Sequence, residues 1–197
     1  MERESGCGTL GVNRRAGDRM FLAVELDDDA RHALATHLEM SLDGELLPGR
    51  PVRPQNWHLT LRFLGPTSAL ERDRVLAHLD QHLTVEPFRI RFAGLGGFPR
   101  EAKASVLWIG LAGDVEALEA VAAICENAAQ EAGFEPEGRP FHPHLTLSRI
   151  RPPIDVRPLV DQVKPSRVVH DVTAVTLYRS MFGQEPAQYE VVDRVTL

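Results

Sequence analysis

The tetrapeptide His-Leu-Thr-Leu occurs twice, from His58 and again from His144, 86 positions further along a chain of 197 residues. An apolar run opening at Phe21 has its counterpart at Val106, 85 positions on. Two nearly equal offsets are what an internal duplication produces. They constrain the fold strongly, because both copies must then form the same supersecondary unit.

The elements around each copy fit that expectation. Met20 to Leu26 is a mostly apolar strand, ended by Asp27-Asp28-Asp29, whose carboxylates suit the free N–H groups and positive dipole of a helix start. That helix runs to about Leu42, and a Gly/Pro-containing connection follows to Pro54. His58 to Leu64 is the second strand, stopped by Gly65-Pro66. Ser68 with Glu71 forms a capping box opening a helix from about Ala69 to Leu83, and Pro87 to Phe92 reads as a short strand. In the second half, Val106 to Leu111 is a strand and Gly113-Asp114 starts a helix reaching about Ala132. Its buried stripe is Val115, Leu118, Ala122, Cys125, Ala129 and Ala132. His144 to Ile150 is the matching strand, followed by a short helix near Asp155–Val163 and strands at Val168–Leu177 and Gln188–Val195. The expected class is α+β: two pseudo-twofold-related lobes, each with a largely antiparallel sheet and outer helices, around a groove.

Side chains two apart on a strand share a face. By that parity His58, Thr60 and Arg62 project together, with Leu59, Leu61 and Phe63 in the core. Likewise His142, His144, Thr146 and Ser148 project together, with Leu145 and Leu147 behind. A twofold then sets two imidazoles across a cleft, each beside a threonine hydroxyl. Metal-free phosphodiester cleavage needs that pairing: a neutral histidine to take a proton from attacking water, and a protonated one to donate to the departing oxygen. Hydroxyls, and the Arg62 cation, suit the non-bridging oxygens.

With 22 basic and 28 acidic residues the net charge is −6, which argues against broad, non-specific gripping of a nucleic-acid backbone. It leaves room for one terminal phosphate in a locally positive groove, to which Arg53, Arg62, Arg100, Arg139 and Arg149 can contribute. Cys7 and Cys125 make no disulfide framework, no secretory signal is visible, and no run has the length of a membrane helix, so the cytoplasm is expected. Residues 1–18, glycine-rich and of mixed charge, read as a flexible leader to a single domain spanning 19–197.

At RMFLAVEL, VRPQNWHLTLRFLG, PFRIRFAGLGGFPR, ASVLWIGL, RPFHPHLTLSRI, VTLYRS and YEVV the chain resembles the 2H phosphoesterases, within them the RNA 2′,3′-cyclic phosphodiesterases, also called 2′-5′ RNA ligases. The resemblance runs from about Arg19 to the end. It implies two HxTx motifs facing each other, and hydrolysis of ribose 2′,3′-cyclic phosphate ends of RNA or oligonucleotides to 2′-phosphomonoesters, with reverse 2′-5′ ligation available. It also implies His58 as proton donor, His144 as proton acceptor, Thr60 and Thr146 as phosphate ligands, a monomer, and no metal or cofactor. The near-symmetric motifs do not themselves choose donor from acceptor. Two alternatives remain: the same chemistry on a small nucleotide (a cyclic phosphate of ADP-ribose, or a 2′-5′ oligoadenylate), or a non-catalytic RNA-end binder.

Weaker groove candidates are His142, Ser148, Arg149, Phe141 and Tyr178. Arg149 has the wrong parity unless its strand bulges, and the two aromatics suit either base stacking or core. Trp57 reads as packing, and His78 with His82 as an exposed helix face. Gly94-Leu95-Gly96-Gly97 reads as a turn.

Overall fold

The computed structural model describes residues 17–181 and 187–197. Nine strands and four helices alternate along these residues. They are β1 (Asp18–Glu25), α1 (Asp28–Leu42), β2 (Arg50–Pro51), β3 (His58–Thr67), α2 (Ala69–His82), β4 (Phe88–Phe98), β5 (Ala104–Gly113), α3 (Val115–Glu131), β6 (His144–Ile154), α4 (Arg157–Gln162), β7 (Val169–Val172), β8 (Ala174–Met181) and β9 (Gln188–Thr196). Two antiparallel sheets result, ordered β3-β1-β8-β9 and β2-β6-β5-β4-β7. The expected α+β class is what the chain adopts.

Local signals account for the starts of α1 and α2, whereas at α3 Asp114 makes no side-chain cap and its carboxylate instead accepts from the Arg89 N–H at 3.2 Å. Asp27 caps α1 by accepting from the Ala30 N–H at 2.6 Å, and Ser68 and Glu71 form both halves of the capping box on α2. The caps also tie the fold together, since Asp27 meets the buried His170 of β7 at 2.8 Å. One apolar face of each long helix is buried: Ala30, Leu34, Leu38 and Leu42 on α1; Val75 and Leu79 on α2; Leu118, Val121, Ala122, Cys125, Ala128 and Ala129 on α3. These join the sheet residues in one continuous core.

The sheets are not built each from one half of the chain. β4, the third long strand of the first half, pairs with β5 of the second, and β8 pairs back onto β1. The sequence Val168–Leu177, read as one strand, therefore divides. β7 closes the five-stranded sheet against β4, and after Thr173 the chain enters the other sheet as β8. Each sheet contains the same run: an HxTx strand, the first strand of that half, then a strand from the other half.

Three further boundaries move. β1 starts at Asp18, the last residue of the expected leader; its carboxylate meets Arg179 at 2.9 Å, while residues 1–16 lie outside those described. The glycines at 94, 96 and 97 do not make a turn. They belong to β4, which runs on to Phe98. At Gly96 the reason is steric: a Cβ would lie 2.3 Å from the Trp108 indole on the neighbouring strand, so only glycine lets that ring lie over the sheet. His78 is largely covered, with Nδ1 3.0 Å from Glu131 of α3 and its ring stacked on His82.

Candidate active site

β3 and β6 lie against each other, one from each sheet, and both carry the same irregularity. Thr60 pairs with Ala23 and Arg62 with Leu22, leaving Leu61 as an extra residue. Thr146 pairs with Trp108 and Ser148 with Leu107, leaving Leu147 as the extra one. A bulge adds one residue to one strand and so reverses the facing of everything beyond it.

His58 with Thr60, and His144 with Thr146, keep the expected face, and beyond the bulge the expectation inverts. Arg62 is not on the groove side. It is buried at 7% exposure, paired with Glu126 of α3, 3.5 Å from Glu137, and donating to the carbonyls of Phe63 and Glu135. Ser148 is likewise fully buried, donating to the Pro48 carbonyl. Phe63, assigned to the core by parity, is instead 55% exposed and 5.8 Å from Phe21 on the groove side. Arg149, the match of Phe63 on β6, is exposed, and its charge reaches both imidazoles.

The two histidines are held alike. Nδ1 of His58 lies 2.7 Å from the Asn56 carbonyl, and Nδ1 of His144 lies 2.6 Å from the His142 carbonyl. A carbonyl only accepts, so each Nδ1 carries the proton and each Nε2 is left for chemistry. Burial is the largest influence on both pKa values. It takes His58 from 6.5 down to about 4, aided by the charges of Arg149 and His144 and opposed by the Asn56 hydrogen bond. His144 is lowered by burial and by the charges of His142 and Arg149, against the hydrogen bond to His142.

An aromatic wall backs each imidazole. Around His58 stand Phe21 (4.9 Å between centroids), Tyr189 (5.3 Å, edge-on) and Tyr178 (6.0 Å). Tyr178 stacks on Phe21 and is only 8% exposed, and burial pushes its phenol up to about 12. Around His144 stand Phe98 (5.0 Å) and Trp108 (6.2 Å), with His142 packed 5.1 Å from each of those two rings. Phe141 does not join this wall and packs against the core. Trp57 is buried, with Nε1 on the Val52 carbonyl at 3.0 Å. Sequence reading missed Phe63, Phe98, Trp108 and Tyr189. For Trp108, alternation from Leu107 and Ile109 was an available signal.

Paired imidazoles that both present Nε2, with flanking hydroxyls and one guanidinium whose charge reaches both, form an arrangement able to perform acid–base chemistry on a phosphodiester. The 2′-5′ RNA ligase superfamily model matches residues 26–181, and the chain belongs to that family. It is 32% identical over 184 residues to the RNA 2′,3′-cyclic phosphodiesterase of Escherichia coli K12, covering 91% of this chain and 96% of that one. It is 31% identical over 156 residues to the enzyme of the same name from Aeropyrum pernix, covering 76% of this chain and 86% of that one. The crystal structure of E. coli LigT complexed with 3′-AMP superimposes with a TM-score of 0.75 at 27% identity, covering 91% of this chain and 98% of the other.

Proposed function

We propose that this chain is an RNA 2′,3′-cyclic phosphodiesterase that opens the cyclic phosphate by paired-histidine catalysis. The observation that carries the reading is the matched pair of imidazoles, each presenting Nε2 because a carbonyl two residues back holds Nδ1. His144 Nε2 takes a proton from water as its oxygen bonds to phosphorus. The P–O3′ bond breaks, and O3′ takes a proton from Nε2 of protonated His58, leaving a 2′-phosphomonoester. His144 ends protonated and His58 neutral, and exchange with solvent resets them. Thr60 and Thr146 hydroxyls donate to the non-bridging oxygens, and Arg149, rather than Arg62, is the cation beside the phosphate.

With a 5′-hydroxyl in place of water as the nucleophile, the same site joins it to the cyclic phosphate as a 2′-5′ linkage, O3′ again leaving with a proton. The order HxTx strand, first strand, exchanged strand in both sheets supports descent by duplication. Among the described residues no helix is long and apolar enough to cross a membrane, and action as a cytoplasmic monomer on RNA ends is part of the proposal.

The test incubates a cyclic-phosphate-ended oligoribonucleotide with the protein in EDTA and locates the product phosphate. Wild type should give the 2′-phosphate, and His58→Ala and His144→Ala should each turn over about 10²–10⁴-fold more slowly while folding normally. Binding without turnover by the wild-type protein, or near-normal rates in both variants, would overturn the mechanism.

A further inference from the structure

The carbonyl that holds His58 belongs to a residue whose side chain is itself tied down from far away. Asn56 ends a single 3-10 turn, Pro54–Asn56, closed by backbone bonds from Asn56 to Arg53 at 2.8 Å and from Trp57 to Pro54 at 3.0 Å. Its side-chain amide donates to the carbonyl of Ala187 at 2.6 Å, across 131 residues of sequence. Ala187 directly precedes β9, the strand at the opposite edge of the sheet from β3. Two residues on, the Tyr189 ring stands edge-on to His58 at 5.3 Å and to Phe21 at 5.1 Å. The chain entering β9 thus reaches back over the sheet and touches the His58 arrangement twice, once through Asn56 and once through the imidazole itself.

The other half secures its histidine without such a link. The residue supplying the carbonyl to His144 is His142, whose ring packs 5.1 Å from both Phe98 and Trp108, two residues of the same sheet. One acceptor carbonyl is therefore fixed by ring packing close by. The other sits in a turn closed by its own backbone bonds and tied across the sheet to Ala187 by one side-chain hydrogen bond.

We propose that Asn56 is a positioning residue for His58: its amide clamps the turn to Ala187 and so holds the Asn56 carbonyl where it keeps the proton on Nδ1 and leaves Nε2 aimed into the groove. The inference rests on the reading of His58 as proton donor. Released from the clamp, the turn lets the carbonyl drift, and the imidazole then samples the Nε2–H tautomer and other ring orientations. An ångström of misplacement at a reacting group is enough to cost about 10²-fold in rate.

Asn56→Asp keeps the shape of the side chain but removes the donor, whereas Asn56→Gln retains an amide donor on a stem one methylene longer that can fold back to Ala187. Long-range ¹H–¹⁵N correlation of the imidazoles in the resting protein reads the tautomer directly, without substrate. Wild type should show His58 as the Nδ1–H form, Asn56→Asp should move it toward a mixture, and Asn56→Gln should restore most of the wild-type pattern, with His144 unmoved throughout. In turnover, Asn56→Asp should lower kcat by about 10-fold or more with little change in KM, and shift the pH limb that reports His58. An unaltered His58 tautomer and pH profile in Asn56→Asp would overturn the proposal even if thermal stability fell. The tautomer readout stands apart from the function: loss of the Nδ1–H form together with full activity of His58→Ala would leave the clamp intact and sink the catalytic role instead.

Discussion

The position of His58 in the folded chain makes its imidazole hard to protonate, and that has a measurable cost in acid. The group falls from 6.5 to about 4, chiefly because burial removes water from the charged form. A tenfold change in proton affinity is worth about 1.4 kcal/mol, so the full difference is about 3 kcal/mol. Below 6.5 the unfolded chain takes up a proton that the folded site refuses, so stability is lost as pH falls through the window from 6.5 to about 4. Between pH ~7 and pH ~4.5 the linkage relation gives a loss of about 2 kcal/mol from this one group. Carboxylates with lowered pKa values, such as Asp27 and Glu126, add their own losses over an overlapping range, but those are common to wild type and a His58→Asn variant. The assay is therefore a difference: urea unfolding of both proteins at both pH values. Wild type should lose about 2 kcal/mol more than His58→Asn on acidification. If the two proteins lose stability in parallel, His58 is not held in a desolvated neutral state, and the reasoning from burial fails.

Arg149 and Arg62 separate in the same kind of experiment. Arg149→Met removes a charge that lowers both histidines, so both limbs of the pH–rate profile should move to higher pH while kcat/KM falls about 10–100-fold, the worth of one hydrogen bond to a charged group; an unmoved profile would place Arg149 outside the groove. Arg62→Ala strands Glu126 beside the site the guanidinium filled, and urea unfolding should show a loss of about 3–5 kcal/mol, whereas a loss under about 1 kcal/mol would mean that the pair behaves as a surface ion pair.

Arg62 also marks where the sequence stops being legible. Alternation places His58 and Thr60 correctly, because strand parity is a short-range property of the backbone. The same rule carried two residues further gives the wrong face for Arg62, Phe63 and Ser148, and leaves the facing of Arg149 hanging on an unseen bulge. A bulge is set by the pairing of β3 with β1 and of β6 with β5, and a single strand's sequence holds no record of that register. The strand exchange is hidden for a related reason. Val168–Leu177 is rich enough in valine and threonine for one strand, and only the competing edges of two sheets, β4 on one side and β1 on the other, divide it at Thr173. The helix caps are legible because Asp27, Ser68 and Glu71 act on N–H groups within three residues of themselves.

The bulges do more than relocate four side chains, because they break the symmetry of a duplicated site. Five residues after each histidine the chain returns to the groove face, and there β3 offers Phe63 while β6 offers Arg149. One half thus presents an exposed ring beside Phe21, the other a cation. A phosphate drawn toward Arg149 brings its negative charge between two imidazoles that are both neutral at rest. Neutrality suits His144 as the base, but a donor must carry a proton, and the group assigned that role is the one pushed down to about 4. The two facts are compatible only if the substrate recruits the proton. An anion close to His58 offsets the repulsion from Arg149 and His144 and favours the charged form. On the proposed roles, the resting site is held one proton short of its working state, and a bound cyclic phosphate would supply the field that completes it.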